Sequence, residues 1–421
     1  MSKLQAPKGV PDYYPPDSEN FLYIKNTLAA AAISAGYGYV ELPVFEDTQL
    51  FIRGVGESTD VVSKEMYVFE DRAGRSLALR PEGTAGVMRL IAEHSLDRNT
   101  LPVKLWYAGP FFRAERPQLG RYRQLQQVGI EAVGINDPAL DAEVIQVADQ
   151  AFKSIGLKQY QLHLNSLGCF ECRSAYREQL IAFLSTLDLD PATKERAAVN
   201  PLRVLDDKRP EVKNQLVNAP QIAKSLCRAC VEYHQEVEKY LLQSDVHFAP
   251  KPDLVRGLDY YTRTTFEFEH SLLGAQSGIG GGGRYDGLMK AIGGSDISGI
   301  GFGIGIDRTL LAAQAEGIVL ATPNQLDIFV IPLGEGAKSM AVSLVHQLRN
   351  NGFKVDMSYG DRALKGAMKA ADRSGAKYAV LLGESELNSA QVQVKDLTSS
   401  SQTDVPLDKV VEFFSNQAKE G

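Results

Sequence analysis

No stretch of this chain approaches the roughly twenty consecutive apolar residues that span a bilayer. The N-terminal Met1-Ser-Lys-Leu-Gln-Ala-Pro7 likewise has no apolar core of signal-peptide length. The expectation is a cytoplasmic protein with no membrane partner. An excess of positive charge is missing too: 45 Lys and Arg stand against 52 Asp and Glu, a formal net charge of -7. That excludes a uniformly basic nucleic-acid binder. A local basic patch stays possible, because the field that matters is that of the contact surface. Cysteine is scarce, with four in 421 residues, which argues against a disulfide framework. Internal repeats and low-complexity segments are absent. The composition that remains, 44% hydrophobic and 23% charged, is that of an ordinary globular protein long enough for two or three domains.

The four cysteines form two C-x-x-C pairs, Cys169/Cys172 and Cys227/Cys230. Each pair can offer two thiolates from one turn, which suits a tetrahedral zinc site. The interval between pairs is much longer than the roughly 15–20 residues of compact zinc ribbons. Structural zinc and reduced, unligated thiols therefore both fit the sequence. Neither pair has the strand-to-helix setting of a redox motif.

Periodicity divides the chain. Residues 18–35 read as an alanine-rich helix stopped by Gly36, followed by a strand over 39–45 that Pro43 confines to an edge or interface. Residues 67–70 and 77–80 read as a hairpin, and 84–94 as a helix. Two strands, 105–115 and 122–134, flank a short polar loop, with a helix over 141–155. Strands outnumber βαβ units, so the predicted class is α+β with an antiparallel sheet. Residues 169–243 are charged and helical in pattern and interrupt the strand-rich part as an inserted subdomain. Beyond Pro323 strands at 326–332, 353–358 and 377–382 alternate with helices at 337–350 and 363–374, a small α/β domain with a mostly parallel core. The expected division is 1–168 with 244–322, then 169–243, then 323–421.

Four segments carry chemistry. Leu254-Val-Arg-Gly-Leu-Asp-Tyr-Tyr-Thr-Arg-Thr-Thr-Phe-Glu-Phe268 places a guanidinium and two phenols at the start of a strand, offering anion contacts and hydroxyl hydrogen bonds together. With a side-chain period of two, Arg113 and Glu115 share a face of one strand, and Gln127 and Glu131 a face of the next. Antiparallel pairing predicts one polar floor from all four, expensive if buried unless a polar ligand supplies partners; a solvated outer face would carry the same residues. The loop Arg116-Pro-Gln-Leu-Gly-Arg121 suits phosphate or nucleic-acid contact, or a plain hairpin tip. Finally, Gly280-Gly-Gly-Gly-Arg-Tyr-Asp-Gly287 and Gly299-Ile-Gly-Phe-Gly-Ile-Gly-Ile306 put backbone where only glycine allows close approach. In the second, alternation leaves one bare face for a flat ligand, with Arg308 on the helix behind. The spacing is not that of a dinucleotide-binding fingerprint.

Together these segments resemble the class II aminoacyl-tRNA synthetases, and within them the histidyl-tRNA synthetase family. Gly109-Pro-Phe-Phe-Arg-Ala-Glu-Arg-Pro-Gln118 is similar to motif 2 and Gly301-Phe-Gly-Ile-Gly-Ile-Asp-Arg308 to motif 3. The helix ending near Gly36, with Pro43, is similar to motif 1. Leu254–Tyr261 and Gly281–Leu288 resemble the two histidine-specific signatures, and the C-terminal domain resembles the class IIa anticodon-binding domain. The resemblance implies ATP-dependent ligation of L-histidine to histidine tRNA through histidyl-adenylate. It implies Glu82, Gly83 and Thr84 at the α-amino group and Gln127 at the amino acid's polar backbone. Glu131 and Tyr261 would contact the imidazole, with Tyr260 as wall. Arg113 and Arg256 would address the α-phosphate and border the histidine, Arg308 the terminal phosphates, and Glu115 and Arg121 the rest of the ATP site. Arg116 and Gln118 would meet the tRNA acceptor end. Mg2+ would accompany ATP, and motif 1 implies a homodimer. Leu125 departs from the family, standing where many relatives place a phenylalanine against adenine. The rival reading is a non-catalytic regulatory paralogue that partners ATP phosphoribosyltransferase. Such paralogues lack the anticodon-binding domain and lose signature residues that stand here.

Overall fold

A computed structural model describes residues 3–57, 59–205, 207, 209–254, 258–320, 326–360 and 362–420. The chain divides into two compact units, Met1–Ala321 and Thr322–Gly421. Among the described residues the first unit contains β1 (Gly38–Tyr39), β2 (Phe45–Asp47), β3 (Val68–Glu70), β4 (Ser76–Leu79), β5 (Val103–Phe112), β6 (Gln124–Val133), β7 (Tyr160–Ser166), β8 (Phe248–Pro250), β9 (Thr262–His270), β10 (Gly278–Arg284) and β11 (Gly299–Gly305). Eight of them form one sheet in the order β1-β5-β6-β11-β10-β9-β7-β8, and β2-β4-β3 form a second. The large sheet is antiparallel except at its margins, where β1 runs parallel to β5 and β8 to β7. No helix among the described residues is long and apolar enough to cross a membrane.

The period of two along each strand decides what the large sheet does. Val128, Ile130 and Ala132 of β6, Ile300, Phe302 and Ile304 of β11, and Phe266 and Phe268 of β9 share one buried cluster. The helices Asp17–Ser34 and Pro138–Ile155 cover it through Ile24, Leu28, Val144, Ile145 and Phe152. The intervening residues face the other way: Gln127, Gly129 and Glu131 on β6, and Gly301, Gly303 and Gly305 on β11. That second face is polar and bare. A buried ion pair fastens the helix Pro138–Ile155 to the end of β10, as Asp141 Oδ1 accepts from Arg284 Nε at 3.0 Å and from the Tyr233 hydroxyl at 3.1 Å.

Between β7 and β8 the chain runs through a helical segment that opens with Phe170–Ser185 and closes with Arg228–Gln243. Tyr176, Leu180, Leu184 and Val212 from this segment join the cluster that holds Tyr107, Phe111, Tyr260 and Tyr261.

Two strands are shorter than their sequences predict. The expected 39–45 strand is split: Gly38–Tyr39 pair with β5 and Phe45 begins β2, paired with Leu79 of β4. Between them Arg80 Nη1 takes the Leu42 and Pro43 carbonyls at 2.8 and 3.4 Å. The strand expected over 105–115 ends at Phe112. Beyond it Ala114 N donates to Glu65 O at 2.7 Å and Glu115 N turns back to Arg113 O at 2.8 Å. Arg113 and Glu115 therefore lie on a loop at the strand's end and not within the floor itself.

In the second unit β12 (Ile328–Pro332) lies between β13 (Val355–Met357) and β14 (Tyr378–Leu382), both parallel to it. The helices Glu335–Asn350 and Leu364–Arg373 connect these strands. An antiparallel hairpin, β15 (Gln391–Asp396) and β16 (Gln402–Pro406), extends the sheet beyond β14. The sequence reading missed it because its strands are polar. Its turn is legible afterwards: Asp396 Oδ1 accepts from Thr398 N at 2.7 Å and Ser399 N at 3.1 Å, as short acceptor side chains do in turns.

Candidate active site

The bare face of β11 is where the site begins. Gly301 pairs with Glu131 and Gly303 with Gly129. A Cβ on Gly301 would collide with Glu131 Oε2, and one on Gly303 would lie 3.4 Å from Gln127 Oε1. The alternating glycines thus let the Glu131 and Gln127 side chains lie across the neighbouring strand.

Glu131 is 1% exposed. Its Oε1 accepts from the Thr84 hydroxyl at 2.8 Å and the Tyr107 hydroxyl at 3.1 Å, and its Oε2 from the Tyr285 hydroxyl at 2.5 Å. A carboxylate has about four acceptor positions, so one on Oε2 is left for a ligand. Burial pushes its carboxyl up to about 8; the hydroxyl donors oppose that shift, and the nearby Glu82 adds to it. Glu82, 4% exposed, sits at the N-terminus of the helix Thr84–Glu93. Its Oε2 accepts from Thr84 N at 2.7 Å and its Oε1 from Ala85 N at 3.0 Å, the favoured place for a negative group on a helix. Burial raises its pKa as well, while those amides and the Arg113 charge lower it. Two desolvated carboxylates side by side favour a cationic or hydrogen-donating guest.

Aromatic rings wall this pair. Tyr260 and Tyr261 have ring centroids 4.7 Å apart, and Tyr285 meets Tyr260 edge-on at 5.8 Å. The Tyr260 hydroxyl reaches Glu82 Oε2 at 3.4 Å. Sequence reasoning gave no role to Tyr107 or Tyr285. The signal for Tyr107 lies in its neighbours: a Cβ on Gly83 would fall 2.5 Å from Tyr107 Cζ, and one on Gly129 would also strike that ring. Tyr107→Phe removes one donor from a buried carboxyl, and is expected to cost about 1 kcal/mol of stability. A chemical denaturation midpoint checks it.

Beside the carboxylates opens a cavity of about 170 Å³, lined by Arg113, Glu115, Arg121, Leu125, Gln127, Glu267, Gly280, Gly303 and Arg308 among others. The four residues expected to share one floor are thus divided. Gln127, Arg113 and Glu115 line the cavity, whereas Glu131 lies deeper. Arg113 Nε donates to Pro81 O at 3.0 Å. Glu115 pairs with Arg121. Arg308 spans two loops, donating to Gly120 O at 2.9 Å, Gly278 O at 2.6 Å and Gln276 Oε1 at 3.1 Å. Arg256 lies outside the described residues. Leu125 does line the cavity, an aliphatic surface in place of an aromatic one. The resemblance implies a base against Leu125, and on that expectation Leu125→Phe should lower the ATP KM severalfold through stacking; an unchanged ATP KM would refute that assignment.

The loop after Arg113 closes on itself, with Gln118 N to Arg121 O at 3.0 Å and the reverse bond at 2.9 Å. A second cavity of about 600 Å³ includes Lys64, Arg116, Gln118 and Arg121, and shares Glu115 and Arg121 with the first. A polar surface of mixed charge, with Lys64, Arg116 and Arg121 beside Glu65 and Glu115, therefore adjoins the arginine-lined cavity. The two C-x-x-C pairs also meet, with all four Sγ atoms within 4.8 Å of one another.

The Histidyl-tRNA synthetase family model matches residues 9–309 and the Anticodon binding domain model residues 327–417. A histidine–tRNA ligase of Rhodococcus erythropolis is 60% identical over 411 residues, 98% of this chain and 97% of that relative. One of Saccharopolyspora erythraea is 58% identical over 98% of each chain. The crystal structure of apo S. aureus histidyl-tRNA synthetase aligns with a TM-score of 0.84 at 36% identity, over 98% of this chain and 100% of that one. A Bacillus halodurans structure titled an ATP phosphoribosyltransferase regulatory subunit/histidyl-tRNA synthetase has a TM-score of 0.66 at 21% identity, a likeness of fold alone.

Proposed function

Because the chain belongs to the histidyl-tRNA synthetase family, we propose that the buried carboxylates and the adjoining arginine-lined cavity divide its reaction between them. The chain is a histidine–tRNA ligase of class II, joining L-histidine to histidine tRNA through histidyl-adenylate with ATP as the energy source. The regulatory-paralogue reading is not favoured, since an anticodon-binding domain is present. In this reading Glu82, Gly83 and Thr84 receive the α-amino group. Glu131 and Tyr261 receive the imidazole against Tyr260, and Gln127 contacts the amino acid's polar backbone. The observation that carries the assignment is the pair of desolvated carboxylates, Glu82 and Glu131, beside a cavity whose mouth holds Arg113. A histidine carries a cationic α-amino group and an imidazole donor, one for each buried carboxyl, and the α-carboxylate beside the amino group would face Arg113. Sites built from buried polar partners reject analogues that leave them unpaired by roughly 10⁴–10⁵.

The histidine carboxylate would attack the α-phosphorus of ATP in line, forming a C–O–P bond as pyrophosphate leaves. Such a step needs positioning and charge neutralisation more than covalent help. Arg113 and Arg256 would face the α-phosphate, Arg308 the terminal phosphates, and Glu115 with Arg121 the remainder of the nucleotide. Mg2+ enters as part of the substrate MgATP. It takes one or two protein carboxylates beside phosphate oxygens, and Glu115 and Glu267 line the cavity. The terminal ribose of the tRNA then takes the histidyl group, releasing AMP. Arg116 and Gln118 would meet the acceptor end, and residues 323–421 the anticodon. The functional division is 1–168 with 244–322 for catalysis and 169–243 for the insertion. Zn2+ on the four cysteines would be structural. A cytoplasmic homodimer completes the reading; the exposed Phe45, Val68 and Phe69 of the small sheet support an apolar interface there.

Histidine-dependent exchange of labelled pyrophosphate into ATP, run beside the other amino acids, tests the whole. Exchange with histidine alone is expected. No exchange with any amino acid, from demonstrably folded protein, would overturn the reading in favour of the regulatory paralogue.

A further inference from the structure

The two C-x-x-C pairs are built alike. Cys169 and Cys227 each stand immediately before a helix, with φ/ψ of -76/177° and -70/160°. Cys169 also follows β7 closely, so the first pair does have the strand-to-helix setting that its sequence did not show. The amides cross between pairs: Cys169 N donates to Cys230 Sγ at 3.2 Å, and Cys227 N to Cys172 Sγ at 3.0 Å, the latter pair 55 positions apart. Cys169 and Cys172 Sγ lie 3.6 Å apart. Four Zn–S bonds of about 2.3 Å in a tetrahedron set sulfur separations of about 3.8 Å, and the four sulfurs here are all within 4.8 Å. Gly168 holds the first turn with φ +65°, where a Cβ would press on Leu226 Cδ2 at 2.9 Å and on Cys172.

The same turn grips the tyrosine wall at two points. Ahead of it, Leu167 N donates to Arg263 O at 2.6 Å and Arg263 N to Gly168 O at 2.9 Å. Just after Cys172, Arg173 Nη1 donates to Tyr261 O at 2.9 Å and Nη2 to Asp259 O at 3.4 Å. The backbone carrying Tyr260 and Tyr261 is thus held on either side by residues adjoining the cysteines. We propose that Cys169, Cys172, Cys227 and Cys230 bind one Zn2+ as a tetrathiolate, and that this centre, with Arg173 as positioning residue, holds the Tyr260–Tyr261 wall so that its occupancy sets affinity for histidine. The four thiols give up their protons to solvent as four S–Zn bonds form; no redox step is involved. The coupling rests on the assignment of Tyr260 and Tyr261 to the histidine pocket.

The test uses the full-length protein. Elemental analysis should find one zinc per chain, and Co2+ exchanged into the site should give the intense visible bands of tetrahedral cobalt thiolate. Chelation should raise the histidine KM in pyrophosphate exchange about ten- to a hundredfold, leave the ATP KM near its starting value, and be reversed by Zn2+. Arg173→Ala should keep the zinc and the cobalt bands yet reproduce the rise in histidine KM, with Arg173→Lys intermediate. Cys227→Ser, at a half-buried ligand, is the alternative route if chelation unfolds the protein. Absence of zinc together with no cobalt bands would overturn the metal centre. Zinc present but a histidine KM unmoved by its removal and by Arg173→Ala would overturn the coupling. No exchange with any amino acid in zinc-replete protein would overturn the histidine pocket, and the coupling with it, while metal content and cobalt spectrum still decide the centre.

Discussion

Arg113→Ala is expected to lower the rate of histidine-dependent pyrophosphate exchange about 10²–10³-fold at saturating substrates. That is the loss typical of removing one preorganised donor from developing charge in an enclosed site. Its guanidinium lines the cavity and is steadied by Pro81 O. It stands past the end of β5, outside the buried clusters, so the thermal midpoint should change little. Its charge also lowers the Glu82 pKa, so the variant should weaken the amino-acid side as well, through a carboxyl protonated more readily. Arg113→Lys keeps the charge but loses the planar fork that meets two phosphate oxygens at once, and should fall between. A comparable loss of folding in Arg113→Ala, or exchange within threefold of the parent, would remove Arg113 from the role assigned to it.

The site was legible in the sequence where local spacing alone decides geometry. Gly301, Gly303 and Gly305 alternate with Ile300, Phe302 and Ile304, and a strand must then be bare on one side and apolar on the other. The same rule placed Gln127 and Glu131 on that bare side. It failed at Arg113 and Glu115, because a pattern of alternation says nothing of where pairing stops. The end of β5 is set by Glu65, some fifty residues earlier in the chain, which takes the Ala114 amide. Nor can spacing foresee a convergence of distant segments. Tyr107, Tyr285 and Thr84 come from three separate elements to meet on one carboxylate, and Arg80 leaves its own strand to hold the Leu42 carbonyl. The cysteines show both sides of this. Their pairing as C-x-x-C was plain, while their long separation counted against a shared site until the helical segment between them returned to its starting point.

Glu131→Gln is the other substitution with a large expected effect, and its sign depends on pH. Burial raises the Glu131 carboxyl to about 8 in the folded protein, against about 4.3 in an unfolded chain. Between those values the folded state binds more protons than the unfolded state. Wild-type stability therefore falls as pH rises through the window, by up to about 1.4 kcal/mol per pH unit from this group. Glutamine cannot ionise and escapes the loss. The thermal midpoint of Glu131→Gln relative to wild type should thus climb steadily from about pH 5 to about pH 8 and level off beyond. Were the three hydroxyl donors strong enough to hold Glu131 as a carboxylate with a depressed pKa, the trend would reverse, with wild type gaining on the variant as pH rises. Histidine binding should move in the opposite direction to stability. Glutamine cannot give up a proton to become the charged acceptor that Glu131 offers the imidazole once ionised. Hydrogen bonds to charged groups contribute about 1.5–3 kcal/mol, so the histidine KM should rise about ten- to a hundredfold at and above about pH 8, and less below it. The ATP KM should stay near its parent value, since Glu131 lies deeper than the cavity walls. A variant that gains on wild type in stability as pH rises, yet holds histidine more poorly, is the signature of a residue kept buried for its ligand and not for the fold.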